Sequence, residues 1–438
     1  MRRRTSTSLA LRLLAALCLL GAVAGPAIAV PSFARQTQQE CPACHVSWPE
    51  LTPYGRFFKA TGYTIGKTFW EGGYIPVAAM AQASITSIKS NNATDPDTGE
   101  TTSVIPRQGL PVFSGGSLFL ATKLNDYLGM FYQWTYDNLA YSDAGVRAGH
   151  SSIDNFDLRG AYKYEPAKAE IPDWILGMTL NNNPTVSDLW NSTPAWGFPF
   201  TTSPLAPTPS AATIIDGGLA QQVAGLGAYA FWKKTLYFEL ANYRTANVAG
   251  NLLRRGQPYN EPGGVHAVTN GNPYWRVAYA HDWDANSVML GTYGMVANVY
   301  PDNLDTTTPT DRFSDVAIDA EYQYITDVHT VTLQATYIWE KQSYNASYPM
   351  TQETGSGYGS GPTPANSTDR LRTFKAKGTY YYERRYGATL AYFQTTGSAD
   401  VGLYGDAAAG SPNSNGYVVE LDWWQSHEQG GLRITFAP

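Results

Sequence analysis

Fifteen segments of alternating apolar and polar residues, joined by connections that are long and short in turn, constrain this 438-residue chain more than any other feature. They fall at 75-88, 113-124, 127-137, 153-164, 172-182, 222-232, 236-245, 273-283, 287-300, 312-325, 329-341, 370-383, 386-396, 416-425 and 430-436. Side chains in a strand point to opposite faces in turn, so alternation of this kind predicts a sheet whose two faces meet different surroundings. In IDNFDLRGAYKY, Phe156, Leu158, Tyr162 and Tyr164 oppose Asn155, Asp157, Arg159 and Lys163. Around 314 to 324, Val316, Ile318, Tyr322 and Tyr324 oppose Asp315, Asp319, Glu321 and Gln323, and from 331 on Val331, Leu333, Tyr337 and Trp339 oppose Thr332, Gln334, Thr336 and Glu340.

Alternation alone fits a soluble sandwich as well as a membrane barrel. The connections separate them. Asn125-Asp126, Lys233-Lys234-Thr235 and Asp284-Ala285-Asn286 are hairpin-short, whereas 183-221, with six prolines, and 342-369, with GSGYGSGP, are long. Short turns at one end and long loops at the other are how outer-membrane barrels are built. Composition agrees, with 15% charged residues, 30 Tyr, 12 Trp and 41 Gly. The expected fold is therefore all-β, a transmembrane antiparallel β-barrel of about 15-16 strands with a small N-terminal α-helical plug. Fifteen is odd where bacterial barrels are even, so either a strand lies unread inside 183-221 or the chain lacks its last strand.

The N-terminus reads as a secretory signal. Arg2, Arg3 and Arg4 precede an apolar run from Leu9 to Val23 and a small-residue site at Ala27-Ile28-Ala29. Cutting after Ala29 removes four arginines and no acid, taking the formal charge from −6 to −10. No basic stripe suggests nucleic acid, and no later stretch approaches the ~20 apolar residues of a membrane helix. The expected organisation is a signal peptide over 1-29, a haem-bearing segment over 30-72 and the barrel over 73-438, in the outer membrane with its lipid as surroundings.

The two thiols that survive such a cut stand in ECPACHVSWPELTPYGRFFKATGY. Cys-x-x-Cys-His is the attachment pattern of c-type haem, with Cys41 and Cys44 as thioether residues and His45 as proximal iron ligand. A structural zinc needs four ligands, and no second Cys or His pair lies within forty residues; a redox dithiol belongs in a βαβ pattern absent here. A plain disulfide stays open but gives His45 no role. Downstream, Thr52 is a helix cap, Pro53 suits the first helical position and Gly62 suits the end. Tyr54, Phe57 and Phe58 are expected to pack on the porphyrin.

SFARQT, then C-x-x-C-H, then WPELTPYGRFFKxxGY resembles the N-terminal motif of the fused monohaem cytochrome-porins of iron-oxidising bacteria, over about residues 32 to 64; across the barrel the resemblance is architectural, helped by GYVVELDWW. It implies one covalent haem c on Cys41, Cys44 and His45, a sixteen-stranded barrel, and electron transfer from extracellular Fe(II) to a periplasmic cytochrome or other redox acceptor. This chain departs by ending at ITFAP rather than in a further strand.

No His or Met lies between Val46 and Ala79, so the segment does not complete its iron alone. Met80, on the face with Ala78, Gln82 and Ser84, is the nearest candidate distal ligand. His281 falls on the opposite face with Trp275, Val277 and Tyr279, and His150, His266, His329 and His427 lie in or beside connections; a five-coordinate iron is the remaining option. Asp157, Asp315, Asp319 and Glu321 inside, with Asp95, Asp97 and Glu100 in a loop, are the acids able to attract a small cation. Two functions compete: an outer-membrane electron conduit oxidising Fe(II), and a haem-plugged porin whose task is solute passage or electron transfer from another donor. A soluble periplasmic cytochrome requires the barrel reading to fail.

Overall fold

The computed structural model describes residues 31–47, 49–87, 92–94, 101–103, 109–137, 150–165, 172–196, 209, 211–246, 253, 266–405, 410–424 and 431–436. The expected signal peptide, His427, and the loop acids Asp95, Asp97 and Glu100 lie outside these residues.

All fifteen expected strands are present: β1 Val77–Ile85, β2 Pro111–Asn125, β3 Leu128–Asp137, β4 His150–Tyr164, β5 Trp174–Asn181, β6 Val223–Trp232, β7 Leu236–Thr245, β8 Asn272–Trp283, β9 Asn286–Tyr300, β10 Asp311–Ile325, β11 His329–Ser343, β12 Thr368–Tyr382, β13 Tyr386–Gly397, β14 Ser414–Trp424 and β15 Gly431–Phe436. Each pairs antiparallel with its neighbour in sequence, giving one sheet of sixteen strands when the two-residue Ala267–Val268, paired to β9, is included. Among the described residues no pairing joins β1 to β15, which are the edges of the sheet. Connections keep their parity. Residues 126–127, 233–235, 284–285, 326–328 and 383–385 make tight turns, with Lys233 and Lys234 both left-handed (φ 47° and 56°).

The two faces are the reverse of a soluble protein. Asp157, Arg159, Asp315, Asp319, Glu321 and Gln323 are buried, while their outward neighbours Tyr162, Val316, Ile318 and Tyr324 are exposed. Leu240 is 71% exposed and its neighbour Glu239 only 2%. Outward aliphatics such as Leu176, Leu226, Leu290 and Leu390 form a band, and beside the short turns stand exposed aromatics, among them Trp174, Trp232, Trp283, Tyr386 and Trp423.

The interior is filled from both ends. Four short helices, α1 Pro31–Thr37, α2 Cys41–Cys44, α3 Pro53–Ala60 and α4 Phe69–Gly72, enter near the short turns. From the other end, the connection after β5 turns inward. The strand expected inside 183-221 is absent among the described residues; instead a 3-10 turn at Pro194–Trp196 and a helical turn at Ile214–Gly218 interrupt irregular chain. The physical reason is in its composition: prolines supply no ladder donors, and the polar side chains between them bond to the buried acids of the wall.

Candidate functional site: the haem-attachment segment and its seat

Cys41 and Cys44 stand one turn apart on α2, both partly exposed, with Pro42 at the start of the helix. His45 ends that turn through its N–H to the Cys41 carbonyl (2.9 Å) and forms a β-bridge to Leu51. Val46 and Thr52 close the loop, donating to the Glu50 carbonyl (3.1 Å) and the Cys44 carbonyl (2.9 Å). Burial raises the Cys44 thiol to about 12, with Cys41 adding to the shift. Burial also lowers the His45 imidazole to about 4, offset in part by its hydrogen bond to the Glu50 backbone. The neutral imidazole is the form that ligates a metal.

The helix after the motif forms as the sequence predicts. Thr52 Oγ1 accepts from the Gly55 amide at 3.1 Å, Pro53 opens α3, and Gly62 turns the chain at φ 71°. Gly55 is demanded by packing: a Cβ there would stand 2.2 Å from the Cys44 carbonyl oxygen. Of the three aromatics expected at the porphyrin, Tyr54 lies near Cys44. Phe58 packs edge-on to Phe33 at 4.9 Å and Phe57 joins the cluster of Trp190, Phe231 and Tyr237, because both rings are needed to seat the helix.

The seat is polar and specific. Arg56 donates to Glu321 (2.7 Å), Gln323 (2.8 Å) and Ser287 (2.5 Å), and pairs with Asp282 at 3.4 Å. Tyr63 donates to Asp157 at 2.7 Å, and Tyr229 to the Ala60 carbonyl at 2.7 Å. In α1, Ser32 donates to the Ala121 carbonyl, and Gln36 donates to the Tyr63 and Ile65 carbonyls while accepting from the Lys123 amide. Lys59 reaches the inward connection: its ammonium donates to the carbonyls of Val186 (2.8 Å) and Asp188 (2.5 Å) and to Asn191 Oδ1 (2.8 Å), and Asn191 donates to the Pro49 carbonyl. Burial lowers the Lys59 ammonium to about 7, Arg159 adding to the shift and Asp157, Asp188 and Glu239 opposing it. Sequence reading missed Lys59 and Arg56 as seat residues. Two buried cations on one short amphipathic helix were the available signal.

The acids expected to attract a cation have other partners. Asp157 pairs with Arg159 (2.8 Å), Asp319 with Arg276 (2.8 Å) and Glu321 with Arg56 (2.7 Å), while Asp315 accepts from the Ile215 amide (2.9 Å) opposite Glu340 on the next strand. Three of the four are paired with arginines and Asp315 accepts from a backbone amide, and among the described residues no group of three or more His, Cys, Asp or Glu is placed to hold a metal ion. Met80 lies in edge strand β1 opposite Ser117, on the face of buried Ala78, and is 38% exposed. His281 is exposed on the outward face, stacked on Trp283 at 5.3 Å.

The donor set fits a covalent c-type haem: two thiols three residues apart on one helical turn, an adjacent neutral imidazole, and a glycine letting the following helix close on the loop. No protein-family model matches the chain, and no curated protein does. Solved structures with a similar arrangement include the outer membrane channel DcaP of Acinetobacter baumannii, 10% identical, with 82% of this chain and 90% of that chain covered and a TM-score of 0.42. OmpT, an outer membrane protein of Vibrio cholerae, is 10% identical, with 83% and 98% covered and a TM-score of 0.32.

Proposed function

We propose that the sheet closes into an outer-membrane barrel and that the N-terminal segment carries one covalent haem c, passing electrons from an extracellular donor, Fe(II), to a periplasmic acceptor. The observation that carries this reading is the seating of the Cys-x-x-Cys-His loop against the buried polar face of a sheet whose other face is apolar and exposed. An apolar outward band with aromatics at its rim suits lipid, and a sheet edge left open to lipid is costly, which favours closure. Haem held there supplies one-electron Fe(III)/Fe(II) chemistry.

The chain's own contribution is to hold and insulate. Cys41 and Cys44 fix the group covalently and His45 ligates it from one side. Arg56, Tyr63 and Lys59 fix the helix that follows, so the redox loop keeps one position relative to the wall. The inward connection fills the interior on the long-loop side, with Leu189, Trp190 and Ile215 nearly fully buried, which favours an electron conduit over a pore for solutes.

Two experiments test the reading. Adding Fe(II) to the oxidised protein in detergent should reduce the haem, read from its absorption bands; reduction no faster than in buffer removes Fe(II) as donor. Cys41→Ala with Cys44→Ala should abolish haem staining on a denaturing gel. Met80 remains the proposed distal ligand, and an unchanged spectrum and potential in Met80→Ala removes it.

A further inference from the structure

Glu50, five residues after the ligand His45, links the redox loop to the wall through both its backbone and its side chain. Its carbonyl accepts from the Val46 amide at 3.1 Å, and the β-bridge between His45 and Leu51, the next residue, holds the ligand beside it. Its carboxylate is 1% exposed; Oε1 pairs with Lys377 and accepts from Thr379 at 3.4 Å, both on β12. The other oxygen, Oε2, is buried and meets no donor among the described residues. The charge of this buried carboxylate is thus offset by a single cation, Lys377, reached through one of its two oxygens.

We infer that Glu50 and Lys377 are a positioning pair that orients His45 and sets the potential of the redox centre. The inference rests on the haem reading above. A buried anion beside the iron favours the ferric form and a buried cation the ferrous form, and a low-dielectric interior strengthens both effects. The pair offsets itself in the intact protein, so removing either member exposes the charge of the other.

The test is a spectroelectrochemical titration of the full chain in detergent, with covalent haem verified by staining. Glu50→Gln, which leaves the Lys377 charge, should raise the potential; Lys377→Met, which leaves the carboxylate, should lower it; Lys377→Arg should restore it. A purely mechanical anchor would shift both single variants the same way, because both break the same bridge. Shifts of one sign, or no shift, overturn the inference. If Lys377→Met does not fold, the double variant is compared with Glu50→Gln: they differ only in the Lys377 charge, so the double must have the lower potential, and equal potentials overturn the inference. Absence of covalent haem in the unmodified protein would instead defeat the haem reading itself.

Discussion

The two segments that fill the interior are held in opposite ways. The N-terminal segment brings its own order, with capped helices and a glycine-terminated turn, and reaches the wall with side chains: Arg56, Tyr63 and Glu50. The inward connection has little regular structure and is held by its backbone as well as by side chains such as Asp188, Ser187 and Ser192. Carbonyls of Val186 and Asp188 take Lys59, the Ser187 carbonyl takes Arg159, and the amides of Ile214 and Ile215 give to Glu340 and Asp315. One segment is self-organised and then docked; the other is ordered by what surrounds it.

The strongest way to break this contrast is Arg276→Met. Arg276 pairs with Asp188 of the connection at 3.1 Å and Asp319 of the wall at 2.8 Å, all three fully buried, so its removal strands two carboxylates. A loss of about 3–5 kcal/mol is expected, read as a lower temperature of the heat-induced gel-migration shift. The shared wall comes next. Leu240→Arg places a charge on a highly exposed apolar position of the outward face and should cost roughly 2–4 kcal/mol on folding into vesicles, whereas a water-facing surface would tolerate it.

Lys59 couples the two segments and gives a pH signature. Burial lowers it from 10.5 to about 7, so the seated arrangement binds fewer protons than the released one between those values. Seating should tighten as pH rises through that window, by at most about 1.4 kcal/mol per unit, and be flat below pH 7. Protease accessibility of residues 182–196 should show this slope, and Lys59→Met should abolish it. The smallest effect is Thr52→Ala, which loses the cap of α3 and should cost about 1 kcal/mol, leaving the inward connection's protection unchanged.

Legibility followed the same division. All fifteen strands, the parity of their connections and the capped helix at Pro53 could be read because each is written in local period or local chemistry. The Cys-x-x-Cys-His motif was legible for the same reason: its three residues fall within five positions. Residues 183–221 read as a proline-rich loop or a hidden strand because nothing local specifies a segment whose partners lie on β10, β11 and β8. The acids were legible as inward-facing but not as paired, since Glu321 and Arg56 are 265 residues apart and Asp188 and Arg276 meet only across the interior.

Sequence by itself thus determined the sheet, its two-faced pattern and the Cys-x-x-Cys-His motif, because side-chain alternation and motif spacing are properties of neighbours along the chain. Only the tertiary structure decided which face is buried, where the acids find their cations and how the Cys-x-x-Cys-His loop is seated. Those outcomes depend on desolvation and charge pairing between distant segments, energies that exist only once those segments pack against the sheet.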